Sequence, residues 1–201
     1  VRVQRDCEQL IEQTIRELGR IDILINNAGI GRFAPVADMS GDDWRAVIET
    51  NLNGVFYCTH AALPHLKRSA TSWIINIGSL AGKNAFPNGS AYNASKFGLI
   101  GFSEALRAEY GRRGVGVTAL CPGPVRTNLY RKAASGRKDR AVPEPPAWLC
   151  ATEEQDAARA IRAIRLNQRI VLITAMADLL FNVKRFAPWL LAALNHIGRK
   201  K

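Results

Sequence analysis

Apolar and polar positions along this chain switch between two periods. Over residues 4–18, Cys7, Leu10, Ile11, Thr14, Ile15 and Leu18 recur at helical spacing, and Gly19 follows where a helix C-cap favours glycine. Residues 21–25, Ile-Asp-Ile-Leu-Ile, read as a short strand rich in β-branched residues. The strand stops at Asn26-Asn27-Ala28-Gly29, small residues that let a ligand or a neighbouring backbone come close. Ser40 can cap a second helix with Trp44, Val47, Ile48, Leu52 and Val55 as its buried stripe, running towards Leu66. Asn51 lies inside that helix, where Asn is disfavoured by about half a kcal/mol relative to Ala. An exposed side chain, a helix irregularity near Gly54 and a functional role all remain open for it.

The second half repeats the alternation. Residues 73–77 form an apolar run of strand length that breaks at Gly78-Ser79 and passes through a Gly/Asn/Pro-rich loop. A helical pattern begins near Ala91 and ends at Gly111-Arg112-Arg113-Gly114, with cations and glycine where a helix C-terminus accepts them. Residues 115–120 form another strand, closed by Cys121-Pro122-Gly123-Pro124. Residues 125–150 make a long Pro- and Arg-rich connection, of the length expected of a substrate loop. Thr152 caps a helix with Ala157, Ile161 and Ile164 inward, residues 169–173 are the last strand, and a basic, apolar helical tail follows.

Helix and apolar strand alternate four times, which predicts an α/β single domain: a doubly wound, Rossmann-like parallel sheet with helices on both faces. Ligands bind such sheets beyond the carboxyl ends of the strands. Residues 26–29, Ser79 and Pro122-Gly123 all fall at strand ends and so converge on one crevice.

Two residues give that crevice chemistry. Tyr92 and Lys96 are four apart and share a helix face. An ammonium beside a phenol favours the phenolate and lowers a pKa that is about 10 when unperturbed. With the hydroxyl of Ser79 opposite, the set could polarise and protonate a carbonyl oxygen. Alone, Tyr-x-x-x-Lys is also what an ordinary exposed helix face can carry.

Composition narrows the picture. The chain has 201 residues, 47% hydrophobic, and a net charge of +11, enough for one sizeable core. The charge is concentrated: Arg126, Arg131, Lys132, Arg137, Lys138 and Arg140 crowd the long loop, and Lys184, Arg185, Arg199, Lys200 and Lys201 crowd the tail. Such clusters attract anions or stand solvated, and no aromatic-interleaved pattern of nucleic-acid binding accompanies them. Cys7, Cys58, Cys121 and Cys150 have no C-x-x-C spacing, which predicts reduced thiols, and His60, His65 and His196 have no ligand spacing, which predicts no metal. The apolar stretch 186–197 is too short to span a bilayer. The tail, 179–201, mixes aromatic and apolar residues with cations, as interfacial helices do, or it packs over the crevice as an ordinary helix.

Five motifs stand in order: Asn-Asn-Ala-Gly at 26–29, Asn-Leu-x-Gly at 51–54, Ile-Asn-Ile-Gly-Ser-x-Ala-Gly at 75–82, Tyr-x-x-x-Lys at 92–96 and Pro-Gly-x-Val-x-Thr at 122–127. Together they make the chain resemble the short-chain dehydrogenase/reductase family. The resemblance implies an NAD(P)-dependent oxidoreductase that interconverts a small-molecule alcohol and a carbonyl, cytoplasmic, as a homodimer or homotetramer through the helices at 41–66 and 91–110. It implies Tyr92 as general acid/base, Lys96 lowering its pKa and holding the nicotinamide ribose, Ser79 holding the substrate oxygen, and Asn51 tying a relay water to Lys96. Asn26, Ala28 and Gly29 would pack against the cofactor and steady the strand, and Pro122, Gly123, Val125 and Thr127 would line its nicotinamide end. NADP is slightly favoured over NAD. The alternative is a non-catalytic module acting through oligomerisation or through contact of the tail with a membrane surface.

The departure from the family is at the start. The chain opens on Val1 and a helix, and the first strands and the Thr-Gly-x-x-x-Gly-x-Gly turn are absent. Two βα units plus a strand, roughly 70 residues, are expected to be missing, and with them the helix N-terminus that binds pyrophosphate. The strand at 21–25 is then expected to have a bare apolar edge.

Overall fold

The computed structural model describes residues 1–125, 134–135, 145–146 and 150–190. In chain order these form α1 (Gln4–Leu18), β1 (Ile23–Asn26), β2 (Arg32–Phe33), α2 (Gly41–Ile48), a π-turn (Glu49–Asn53) and α3 (Gly54–Leu66). They continue with β3 (Ser72–Ile77), a 3-10 turn (Leu80–Gly82), α4 (Ser90–Tyr110), β4 (Val115–Cys121), β5 (Ala134–Ser135), α5 (Glu153–Arg165), β6 (Ile170–Leu172) and α6 (Ala175–Phe186). The ends follow from local chemistry. Gly19 takes the left-handed conformation (φ 79°) and its N–H donates to Ile15 O, closing α1. The Ser40 hydroxyl accepts from Asp43 N at the start of α2, and Thr152 with Gln155 forms a reciprocal cap on α5.

β1, β3, β4 and β6 lie side by side in that order, every pair parallel. Strand pleating sends alternate residues to opposite faces. Ile74, Val115 and Val117 pack on one face against Ile11 of α1, Ala62 and Leu66 of α3, and Leu106 of α4. Ile75, Leu120 and Val171 pack on the other, against Ala163 of α5 with Ala151 and Ile173. The fold is therefore the expected parallel α/β sheet with helices on both faces. β2 and β5 make a second, two-residue parallel pair that no hydrophobic period could announce.

β1 is the edge strand of the main sheet. Its Ile23 and Ile25, on the face that carries Ile75, are 48% and 56% exposed. An apolar edge left open in this way is a surface for pairing with another segment.

Several positions depart from the helical stripes read in the sequence, Ala157 of α5 among them, which is exposed. Gly54 N donates to Glu49 O, five residues back, so the 41–66 helix is interrupted by a π-turn. Val47 of α2 and Val55 of α3 are buried, whereas Trp44, one turn before Val47 and ahead of the π-turn, is 41% exposed. Ile161 is 53% exposed, because α5 turns Ala160, Ala163 and Ile164 to the core and Ile161 lies two residues, about 200°, from Ala163. Leu10 and Leu18 are exposed as well, since α1 packs on α3 along the narrower line of Cys7 and Ile11. Phe56 of α3 and Phe97 of α4 are exposed on the two helices that the resemblance assigns to an oligomer interface.

Sheet and helices are tied by buried polar groups. Asn26 Nδ2 donates to Asn76 Oδ1 (2.8 Å) and Thr59 Oγ1 (3.1 Å), Asn76 Nδ2 donates to Ser103 Oγ (2.9 Å), and Ser103 Oγ donates to Leu99 O (2.7 Å). The chain of bonds links β1, β3, α3 and α4 at one level. Cutting it strands buried partners, each at about 1–3 kcal/mol. Asn26→Ala should therefore lower the unfolding free energy by about 1–3 kcal/mol in urea titration, with the fold retained; an unchanged midpoint would show that the ladder carries no stability.

Candidate active site

The site forms where β1, β3 and β4 end. Gly78 N donates to Leu120 O (2.7 Å), and Leu80 N donates to Pro122 O (2.8 Å), so the segment after β3 is stitched to the end of β4. Ser79 is extended, and its Oγ accepts from Ala81 N (3.1 Å), capping the 3-10 turn. With its oxygen engaged as an acceptor, the hydroxyl proton of Ser79 has no partner among the described residues and remains available to donate. Gly82 lets that turn lie against α4: a Cβ there would come within 2.5 Å of Lys96 O and 2.6 Å of Ile100 Cδ1.

α4 brings the next two residues. Asn88 is left-handed (φ 62°), a conformation Asn tolerates, and its carbonyl accepts from Ala34 N (2.8 Å) at the turn into the helix. Tyr92 follows, 8% exposed, with the Phe33 ring 5.7 Å and the Phe86 ring 6.5 Å from its own. Lys96 lies one turn on, 4% exposed, its Nζ 5.7 Å from the Tyr92 ring centre. Lys96 Nζ donates to Ile77 O (2.7 Å), the last carbonyl of β3. Burial pulls its pKa down to about 8, opposed in part by Cys121, whose own thiol burial pushes up to about 11. At pH 7 the amine is still mostly ammonium.

The π-turn explains Asn51. The side chain is fully buried, its Oδ1 accepting from Ile30 N (2.8 Å) and its Nδ2 donating to Ile30 O (3.0 Å) and Ser95 Oγ (3.1 Å). Ser95 Oγ donates to Tyr92 O (2.8 Å), so Asn51 clamps the loop after β1 to the turn of α4 that carries Tyr92. A Cβ built on Gly29 would lie 3.5 Å from Asn51 Oδ1 and 3.7 Å from Lys96 Nζ, so glycine leaves open a space between the two.

A cleft of about 750 Å³ runs through these elements. Ser79, Tyr92, Lys96, Gly29, Pro122, Gly123 and Val125 are on its wall; Asn51, Asn26 and Ala28 are not. Asn51 and Asn26 act from behind the wall through the bonds above, Ala28 is an exposed neighbour of Gly29, and Thr127 lies outside the described residues. The Arg-rich cluster of residues 126–140 and the chain beyond 190 lie outside them as well. Reasoning from sequence missed Phe33, Phe86, Asn84, Asp156 and Met176, all on the wall. The Gly/Asn/Pro-rich loop was a signal for Asn84 and Phe86, but nothing marked Asp156 or Met176. α6 braces this region: Thr174 caps it beside Gly123, Lys83 Nζ stands 5.9 Å from the Phe181 ring centre, and Lys184 Nζ bonds Lys83 O and lies 4.7 Å from the Phe97 ring centre. The described start of the tail is thus packed beside the crevice. All four cysteines are free thiols, and among the described residues no group of His, Cys, Asp or Glu is arranged to hold a metal ion.

A parallel sheet with Ser, Tyr and Lys gathered at its strand ends defines the class, and comparison with known proteins supplies the family. A family model described as short chain dehydrogenase matches residues 1–138, and the chain belongs to that family. It is 42% identical over 124 residues to a 3-oxoacyl-[acyl-carrier-protein] reductase of Synechocystis, covering 62% of this chain and 50% of that protein. It is 40% identical over 126 residues to D-threitol dehydrogenase of Mycolicibacterium smegmatis, covering 63% and 48%. Among solved structures, a gluconate 5-dehydrogenase from Burkholderia cenocepacia, in complex with NADP and tartrate, superposes with a TM-score of 0.75 at 27% identity over 88% of this chain and 72% of that one. The chain spans about half the length of the curated relatives it matches.

Asp156 has a consequence for stability. Burial, and secondarily Glu153, raises its carboxyl pKa to about 6. Between the two pKa values the folded chain holds a proton that the unfolded chain has lost, so stability from this group is greatest below about pH 4, falls as pH rises to about 6 and levels off above. Asp156→Asn should remove that fall. Measured by urea unfolding, the variant should gain on the order of 1 kcal/mol over the parent on going from pH 4.5 to 7.5, solvent screening included; an identical pH profile would refute the shift.

Proposed function

We propose that this chain carries the catalytic side of an NAD(P)-dependent oxidoreductase that interconverts an alcohol and a carbonyl. The observation that carries the reading is the gathering of Ser79, Tyr92 and Lys96 on one cleft wall beside the open backbone of Gly29. These residues fit the nicotinamide and ribose end of such a cofactor: Gly29 leaves room for a flat group, and Lys96 spends one N–H on Ile77 O and keeps others to donate. Bound there, the cofactor would supply or accept the hydride.

The rest belongs to the chain. Ser79 donates its proton to the substrate oxygen and orients it. Tyr92 is the general acid in reduction and the base in oxidation. Lys96, held against the end of β3 and mostly charged at pH 7, stabilises the phenolate left when the proton goes. Asn51 keeps the loop after β1 and the start of α4 in one register. Phe33 and Phe86 flank the Tyr92 ring and reduce its contact with water.

Nicotinamide fluorescence on titration with NADPH and with NADH tests cofactor binding. Saturable binding in the micromolar range is expected, NADPH the tighter; no binding by the folded chain would refute a cofactor site in this chain. Tyr92→Phe removes the phenol oxygen alone. It should cut ketone turnover by about 100-fold or more with the urea midpoint unchanged, and full activity would overturn the role of Tyr92.

One observation supports a second reading, peripheral membrane contact. Leu179, Phe186 and Trp189 are exposed, the last two by 76% and 68%, with Arg185 among them. Apolar side chains set among cations suit an anionic lipid surface. No helix among the described residues is long and apolar enough to cross a membrane. Flotation with phosphatidylglycerol vesicles should carry the chain upward and fail for Phe186→Ser/Trp189→Ser; equal flotation of both, or of neither, would end this reading.

A further inference from the structure

Two cleft residues stand out by what they lack. Asn84 lies in the wall two residues after the 3-10 turn, its backbone N–H bonded to Leu80 O (2.8 Å). Its side-chain Oδ1 and Nδ2 are both shut off from bulk water and have no hydrogen-bond partner. Asp156, in the first turn of α5, lines the same cleft, and its Oδ1 is likewise enclosed and unpartnered. Buried polar groups are ordinarily paired, and each unpaired one costs about 1–3 kcal/mol. Elsewhere in the site Asn51 makes three hydrogen bonds, and Asn26, Ser95 and Lys96 each make at least one. Asn93 Nδ2 donates to Phe86 O while its Oδ1 is enclosed and unpartnered, but Asn93 is not on the cleft wall.

The rest of the molecule offers weaker candidates. The exposed face of β1 has nothing beside it to show what covers it. Cys7, Cys58 and Cys121 are buried thiols. Asn84 and Asp156, in contrast, share one cavity with the reacting groups, and each is held from behind. Lys184 and Phe181 of α6 grip Lys83, the residue before Asn84, and the Thr152–Gln155 cap fixes the turn that carries Asp156. Left without partners at the cleft wall, these polar atoms suit a ligand that enters far enough to supply the partners.

We infer that Asn84 and Asp156 form a polar subsite that takes a second hydroxyl of the substrate, so that the chain acts on hydroxylated alcohols and their ketones in preference to unsubstituted ones. The complement is chemical. A hydroxyl is one donor and two acceptor sites, the Asp156 carboxylate only accepts, and the Asn84 amide does both. Asp156 can accept a hydrogen bond from the hydroxyl while Asn84 Nδ2 donates one to its oxygen. An unsubstituted alkyl or acyl chain in the same place would leave all three protein atoms unpaired. Sites built to bond a hydroxyl discriminate strongly against analogues that lack it. The inference rests on the oxidoreductase reading for which oxygen reacts, but not for the binding it asserts.

The test therefore measures binding without turnover. Threitol and 1-butanol, four carbons each with four hydroxyls or one, are titrated onto the 201-residue chain and followed by saturation-transfer NMR. Threitol should bind at least fivefold more tightly. Asn84→Ala/Asp156→Ala should abolish that preference without loss of fold, and Asp156→Asn, which keeps an acceptor, should retain most of it. Equal or tighter binding of 1-butanol, survival of the preference in the double alanine variant, or no saturable binding of threitol by the folded chain would each overturn the inference. If Asn84→Ala/Asp156→Ala does not fold, Asn84→Leu alone serves, with the same expected loss. Threitol binding by a chain that oxidises no alcohol would sink the oxidoreductase reading and leave the subsite standing; turnover confined to simple ketones would do the reverse.

Discussion

The bond from Lys96 Nζ to Ile77 O is the contact on which the arrangement turns. A lysine this deeply buried is costly, because desolvation opposes its charge and pulls its pKa to about 8. The carbonyl that receives it is the last of β3, where the chain leaves the sheet. One hydrogen bond thus answers two needs: it gives a buried cation an acceptor, and it fastens α4 to the end of the central strand. Tyr92, one turn earlier on the same helix, and Ser79, two residues beyond Ile77, are placed relative to each other by that link. Gly82 makes it sterically possible, since any side chain there would drive the 3-10 turn off α4.

A second tier of buried polar groups sits below. Asn26, Asn76, Thr59 and Ser103 bond across the sheet into two helices, and Asn51 bonds from the π-turn to the loop after β1 and to Ser95. Apolar packing would tolerate small slides between these elements, whereas hydrogen bonds in a dry interior do not. The polar tier therefore sets the register in which strand ends and α4 meet. The wall above it is held less completely. Asp156 carries a desolvated carboxyl, and Asn84 has an amide without partners. Pairing is thus incomplete at these two positions of the cleft wall.

Much of this was legible along the chain. Long helices with caps, apolar strands and small residues at strand ends are local features, dictated by hydrogen-bond geometry over a few residues. They sufficed to expect a parallel sheet with helices on both faces and a crevice bordered by residues 26–29, Ser79 and Pro122-Gly123. Tyr92 and Lys96 were also legible as a pair, since helical spacing alone puts them on one face. Where the reading slipped, a nonlocal effect intervened. The π-turn at 49–53 interrupts a helix whose stripe was read as continuous, and Trp44, at the start of that stripe, is half-exposed. α5 presents Ala160, Ala163 and Ile164 to the core, and Ile161 falls on the outer side of the helix.

By itself, then, the sequence determined the main helices and the strands of the central sheet, its parallel class, and the identities of the groups at the strand ends. Each of these follows from periodicity and from the chemistry of single residues. Only the tertiary structure decided that Asn51 works from behind the wall through Ile30 and Ser95, that Lys96 is anchored on Ile77, and that Asp156, seventy-seven positions after Ser79, shares its cleft. Those facts depend on how βα units stack across the sheet. Contacts between distant segments are set by the total packing, and no short window of sequence contains them.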